Sequence, residues 1–374
     1  MQKDERILHL DGLRGLAILS VILFHAYSRW NHIEPWEVND FTKKVFSNGW
    51  LGVDLFFIIS GFVIYWTLDK CPGLCQFAVK RWLRLFPAML LGSIFIFLTG
   101  FFIPNRPLGP PLLSDLIPGL TFIEPSVWNK LVGAGFRSLD EAFWSLYVEV
   151  KFYLIAALSY YTIRDKKAVG IALLYLIYLL FFASSLLFKE VHLVLSALSV
   201  FTFIGVQYYG WFLVGIFFFR YWRTGVSSNA YFSLLFGCLA VIEASIGKGY
   251  EVFLHSSLVV VIFWLSFSSK HFSKAMSSRL ITGLGLVSYP LYLVHQNFVT
   301  GLAIELFRVY DGLWVSLYPL LSLILVLCVS VVLAKYEPMV KTAFANTLLP
   351  LKLRPPLGQV QAHRLTSPSK TTAI

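Results

Sequence analysis

Arg14 and His25 stand eleven residues apart in LDGLRGLAILSVILFHA, one ionisable group near each end of an otherwise apolar run. Read as a helix, eleven steps of ~100° return to within about 20° of the start, so both side chains share one face, ~16 Å apart along the axis. Ionisable groups inside a membrane span are costly and turn toward a protein interior or a wet cavity. A guanidinium there can grip a phosphate as a two-pronged donor. A neutral imidazole can take a proton from a hydroxyl and return it, or pass protons along a transport path. Asp11, three residues before Arg14, can meet it on the same face and orient the fork. The plainer alternatives are an Arg reaching lipid phosphates and a His bonded to a neighbouring span. VILFHAY offers that imidazole no local polar partner.

Four further segments carry polar groups that lipid should have removed. GWLGVDLFFIISGFVIYW holds Asp54, expected near the outer interface at the depth of His25, with Ser60 and Gly61 read as close-packing residues. KRWLRLFP places Lys80, Arg81 and Arg84 directly before the third span. Alone this is an ordinary basic stop. At a helix start, Arg81 and Arg84 would project together, and the free N–H groups and dipole would add to an anion site. EAFWSLYVEVKFYL brings Trp144, Ser145 and Glu149 near the outer end of a span, where a carboxylate must be paired or used. Lys151 lies only two residues on and points to another face. In VSYPLYLVHQ, Tyr289, Tyr292 and His295 form one stripe, a substrate wall or an interhelical hydrogen-bonding seam. Pro290 should kink that helix and free a carbonyl.

The elements that must position these groups are membrane helices. Of 374 residues 57% are hydrophobic and 14% charged, more apolar surface than a soluble chain of this length could hide. The apolar runs predict an all-α polytopic protein of about ten transmembrane helices, at 10–28, 50–68, 84–103, 143–162, 168–188, 207–222, 230–246, 251–267, 283–303 and 314–334. The piece 191–206 reads as interfacial or re-entrant. The first run lacks a cleavage site and is expected to be retained. Residues 1–345 are taken as the membrane domain and 346–374, rich in Pro, Ser, Thr and Lys, as a disordered cytoplasmic tail. With the N-terminus inside, twenty Lys and Arg fall on the inner side against nine outside, which places both termini in the cytoplasm. The net charge of +11 is thereby a topology signal with some attraction to anionic membrane lipids, and nucleic acid is not an expected partner. Cys71, Cys75, Cys238 and Cys328 complete no zinc set; free thiols and no metal are expected.

Taken together and in order, DGLRG with its distant His, GVDLFFIISGFVI, RWLR before FP, FWSLYVEVKFYL and SYPLYLVH resemble acyltransferase family 3, the integral membrane O-acyltransferases. The resemblance spans residues 10–296. It implies an acyl-CoA donor, acetyl-CoA by default, on the cytoplasmic side, and an acceptor hydroxyl on a glycan or glycolipid outside or within the membrane. It maps the essential pair onto Arg14 and His25 and the paired arginines onto Arg81 and Arg84. The pattern departs after Glu149, where members commonly carry an acidic residue and a Gln; here Val150 and Lys151 stand instead. The hydrolase-like domain fused to many relatives is not expected here, so an acyl relay would need another protein. A bacterial inner-membrane location follows from the same resemblance.

These readings combine into one expectation. Arg14, Arg81 and Arg84 hold the donor's phosphates, the thioester arm rises between helices, and His25 acts as general base, with Glu149 or Asp54 orienting it or the acceptor. Trp144, Ser145, Tyr289, Tyr292, His295 and Asp11 are the expected substrate contacts. Direct transfer is favoured over an acyl-histidine, since no nucleophilic Ser or Cys stands beside a base. The alternative is a transporter or flippase of a lipid-linked glycan, which should show paired broken helices in two similar halves. Oligomeric state stays open between monomer and loose homodimer.

Overall fold

A computed structural model describes residues 6–30, 33–34, 38–133, 135–162, 168–188, 190–310, 314 and 317–348. In chain order the helices are α1 (Leu8–Tyr27), α2 (Asp40–Phe46), α3 (Gly52–Lys70), α4 (Leu74–Thr99), α5 (Leu116–Thr121), α6 (Pro125–Val132), α7 (Trp144–Thr162), α8 (Val169–Leu187), α9 (His192–Phe203), α10 (Tyr209–Thr224), α11 (Ser227–Ser245), α12 (Tyr250–Ser268), α13 (Lys270–Met276), α14 (Arg279–Val309) and α15 (Leu317–Leu348). The described residues contain no strand. Positions 349–374 of the expected tail lie outside the described residues, while α15 runs on to Leu348.

Eight helices are long and apolar enough to cross a membrane, or nine if α9 and α10, set at 69° to each other, count as one span. The expected piece at 191–206 takes the form of α9, bent away from the span that follows it. Each of the ten expected spans falls on a helix, and the difference in number centres on α14. That helix has 31 residues but buries Ser288, Tyr292, His295, Gln296, Asn297 and Thr300. Its polar face is enclosed by other helices, so it never needs the apolarity that lipid contact demands.

Small residues decide which helices touch. Between helices in lipid, association rests on close van der Waals approach, and glycine permits it. An added Cβ on Gly12 would overlap the Met276 carbonyl, on Gly15 that of Ile281, and on Gly285 that of Asp11. The backbones of α1 and α14 therefore lie against each other at the Asp11 end. The last turn of α1 meets the middle of α14 through His25 and His295, so the two run parallel. Gly61 and Gly215 make the same approach between α3 and α10. A Gly285→Leu variant should force α1 from α14 at a cost of about 3 kcal/mol, the upper range for overpacking. The expected result is a sharp fall in folded, detergent-extractable protein, read by fluorescence-detected size exclusion; wild-type yield would contradict the contact.

Two sequence expectations change here. The helix carrying Arg81 and Arg84 begins at Leu74, with Gly73 at its N-cap, so both arginines sit two to three turns inside it. The free N–H groups of a helix start do not serve the anion site. The helix begins early because its first turns bury Phe77 and Leu83, and because Trp82 and Phe86 stack and pack on Phe344 of α15. Asp54 is likewise not level with His25. Gly49 abuts Ser20 and Phe24, Gly52 abuts Ala17 and Val21, and Asp54 lies two residues further along, beside the middle of α1. α14 passes through Pro290 as one helix.

Candidate active site

Between α1, α3, α4, α7 and α14 lies a cavity. Arg14, Arg81 and Arg84 line it together with Glu149, Ser60 and Tyr153, then Tyr289, Ser145, Tyr292 and Phe56. Two helices set its long axis. α7 carries Ser145, Glu149 and Tyr153 at successive turns of one face, and α14 carries Tyr289 and Tyr292 beside them. The arginines close the end that α1 and α4 begin from.

Each guanidinium is held differently. Arg14 Nη1 donates to Asp11 Oδ1 at 2.9 Å, and Arg6 Nε donates to Asp11 Oδ2 at 2.6 Å, so Asp11 orients the fork from behind and does not line the cavity. Arg84 reaches Glu337 Oε1 only at 3.7 Å and lies 5.6 Å from the Tyr289 ring. Arg81 donates to Thr67 Oγ1 and sits over the Phe77 and Tyr153 rings at 5.8 and 5.7 Å. Its Nε is buried without a hydrogen-bond partner. Three guanidinium groups against one carboxylate make the lining cationic, and the idle Arg81 Nε is a donor suited to an anionic oxygen.

Glu149 is used, not stranded. Its Oε1 accepts from Tyr153 Oη at 2.8 Å and from Ser60 Oγ across the α3–α7 contact. Ser60 therefore serves this carboxylate instead of merely packing, a role the sequence concealed. Tyr153 was missed as well, although its position four residues after Glu149 was a usable signal. Lys151 turns away, as expected, to Glu124 at 2.8 Å.

At the other end, Tyr292 Oη donates to the Ala142 carbonyl at 2.9 Å, so the 2.7 Å bond with Ser145 has the serine as donor. Tyr289 Oη donates to the Leu85 carbonyl at 3.0 Å. His25 and His295 stand behind this pair, outside the cavity lining, with ring centroids 5.0 Å apart; the His295 ring is 5.5 Å from that of Tyr292. Trp144 packs on Tyr208 and Phe57 and does not line the cavity, nor does Asp54. Glu243 and Lys248 are the charged groups that act on Asp54, on a different side of α3 from Glu149. Beyond His25, Glu141 draws together Arg29 at 3.9 Å and Gln296 at 3.2 Å, a polar rim the sequence did not single out.

The turn before α7 is pinned by Asp140. Its fully buried carboxylate accepts from Ala142 N at 2.9 Å and from Asn297 N and Nδ2 at 3.2 and 2.8 Å. Burial pushes this carboxyl up to about 6, against the pull of those donors, so it remains ionised at neutral pH. Because Ala142 also receives Tyr292, the clamp fixes one end of the Ser145–Tyr292 pair. Asp140→Ala should cost ~3 kcal/mol by leaving buried donors unpaired, and lower the unfolding temperature measured in detergent; an unchanged midpoint would contradict the clamp.

The fold and site define a multi-pass helical membrane protein with a cationic cavity inside the bundle. A family profile described as an acyltransferase domain matches residues 7–335, and the chain belongs to that family, acyltransferase 3. It is 28% identical over 159 residues to the peptidoglycan O-acetyltransferase OatA of Listeria monocytogenes, covering 39% of this chain and 23% of that one. It is 27% identical over 163 residues to the acyltransferase MdmB of Streptomyces mycarofaciens, covering 42% and 40%. The O-acetyltransferase OatA of Staphylococcus aureus is 29% identical over 161 residues, with coverage of 39% and 23%. The matched stretches thus span less than half the length of these relatives. No solved structure matches.

Proposed function

We propose that this chain is an O-acyltransferase that moves an acyl group, acetyl by default, from acyl-CoA to a hydroxyl of a cell-envelope or exported glycan. One observation carries the reading: three arginines and Glu149 share a single cavity that ends, at Ser145 and Tyr292, against the His25–His295 pair. The donor supplies a thioester and a phosphate-rich nucleotide. Arg14, Arg81 and Arg84 are the groups that would hold those phosphates, with Asp11 and Tyr289 setting two of the forks. Glu149, fixed by Ser60 and Tyr153, and the Ser145–Tyr292 pair orient the groups that reach the far end. His25 takes the acceptor hydroxyl's proton. By the excess of Lys and Arg on its side, the arginine end is cytoplasmic, and both termini with it. The acceptor then approaches by the Arg29–Glu141–Gln296 rim.

The names of the relatives, which describe O-acetyl transfer and, in one case, peptidoglycan, support a glycan acceptor. A transporter gains less from the fold, since among the described residues only one helix pair is sharply bent. The test is transfer of label from radioactive acetyl-CoA into the envelope glycans of membranes carrying the protein. Label above that of membranes lacking the protein supports the reading; its absence, with well-inserted protein, overturns it for this donor.

A further inference from the structure

His295 entered as an expected substrate contact, but its side chain is fully buried and outside the cavity lining. Its Nδ1 lies 2.8 Å from the Tyr292 carbonyl oxygen. A carbonyl can only accept, so Nδ1 carries the hydrogen, and in the neutral ring Nε2 is left as an acceptor. That Nε2 is buried with no partner, and so is Nδ1 of His25. The two idle nitrogens belong to rings whose centroids are 5.0 Å apart at an interplanar angle of 64°. One needs a donor and the other must be either a donor or an acceptor. The ring torsion of histidine is broad, so a modest rotation of the His25 ring can join them while His295 Nδ1 keeps the Tyr292 carbonyl. Leaving both unpaired in a dry interior is the costly alternative.

We infer that His295 is the positioning partner of His25: its Nε2 accepts from His25 Nδ1–H and so leaves His25 Nε2 bare toward the acceptor hydroxyl. This rests on the acyl-transfer reading, in which His25 is the base. In the proton-transfer step the hydroxyl O–H bond breaks and an N–H bond forms at His25 Nε2, while Nδ1–H stays shared with His295. The Tyr292 carbonyl then ties the tautomer of the base to α14, and the Tyr292 hydroxyl ties α14 to the turn before α7. One short stretch of α14 thereby sets both the histidine pair and the far wall of the cavity.

The experiment compares His295→Gln, whose side-chain carbonyl is still an acceptor, with His295→Leu, which has none. Both are made in the full chain, in native membranes, with labelled acetyl-CoA as probe. Loss of an orienting partner of this kind costs ~10- to 100-fold, so His295→Leu should lower the maximum rate by that factor at unchanged KM for acetyl-CoA. His295→Gln should recover most of it. Equal rates for the two variants, or a loss expressed in KM, would overturn the inference. A reading independent of activity is the pair of ¹⁵N shifts of the His25 ring in wild-type protein. Nδ1 protonated and Nε2 bare is the expected tautomer, and the reverse overturns the pairing. A wild type without transfer removes the acyl-transfer reading itself, whereas a His25→Ala variant that keeps transfer removes His25 as the base and the pairing with it. An active wild type, a silent His25→Ala and a fully active His295→Leu remove only the role of His295.

Discussion

Acyl transfer should fall by at least ~100-fold in His25→Ala, the lower bound for loss of a positioned general base, and by as much as ~10,000-fold. The expectation follows from position as well as residue type. His25 is half-buried, one turn from the Arg29–Glu141 rim on one side and against His295 and Tyr292 on the other. The imidazole packed against it is that of His295, whose Nδ1 is committed to a backbone carbonyl. Truncation removes a side chain near the end of α1 and leaves the glycine contacts of that helix with α14 untouched. Protein level and membrane insertion should therefore match wild type, as judged by immunoblot and by protease protection of the termini. Label incorporation at the wild-type rate would exclude His25 as the base.

The second large effect lies at the opposite end. Removing both cavity guanidiniums in Arg81→Ala with Arg84→Ala should raise the acetyl-CoA concentration needed for half-maximal rate. Each charge-assisted hydrogen bond contributes about 1.5–3 kcal/mol, so the requirement should rise ~10-fold or more per arginine. Arg81 also bonds Thr67 of α3, so folded yield of the double variant is read alongside its rate, but both guanidiniums keep capacity to spare for a ligand. Arg84 meets Glu337 at 3.7 Å, beyond a good hydrogen bond, and Arg81 has an idle Nε. Arg14, by contrast, is tied to Asp11, and its loss would also leave that carboxylate with Arg6 as its remaining ion-pair partner. The pair on α4 is thus the cleaner test of donor binding. A defect confined to the acceptor, with the acetyl-CoA dependence unchanged, would contradict the assignment. Added salt should mimic the double variant in part, because it screens the attraction that draws the donor's phosphates to the arginines.

How far the sequence carried the site depends on how each residue is recognised. Arg14, Arg81, Arg84 and Glu149 were legible because a charge in or beside an apolar run is costly, although lipid phosphate for Arg14 and a basic stop for Arg81 and Arg84 were open as plainer readings; all four line one cavity. Ser60 was not, because a hydroxyl in a helix is satisfied locally at little cost; only the contact of α3 with α7 shows that it serves Glu149. The Tyr289–Tyr292–His295 stripe was legible as a stripe. Its division of labour was not, since one member faces Leu85, one Ser145 and one His25. The start of α4 was misplaced because apolar run length marks where lipid begins. The helix itself continues as long as Phe77, Leu83 and Phe86 find cover, and part of that cover is α15, remote in sequence. Asp54 was set at the wrong depth for a related reason: its level depends on how Gly49 and Gly52 seat on α1.

By itself the sequence determined the solvent, the helical class, the resemblance to membrane acyltransferases and the ionisable groups that must face inward. Those are consequences of local composition, which acts within a turn or a span. Tertiary structure alone decided that α1 and α14 run side by side, that Arg14 joins Arg81 and Arg84 around one space, and that His25 meets His295 instead of the cavity. Such pairings join residues from opposite ends of the chain. They are set by which glycine faces allow two backbones to touch, a matter of shape complementarity that no single segment encodes.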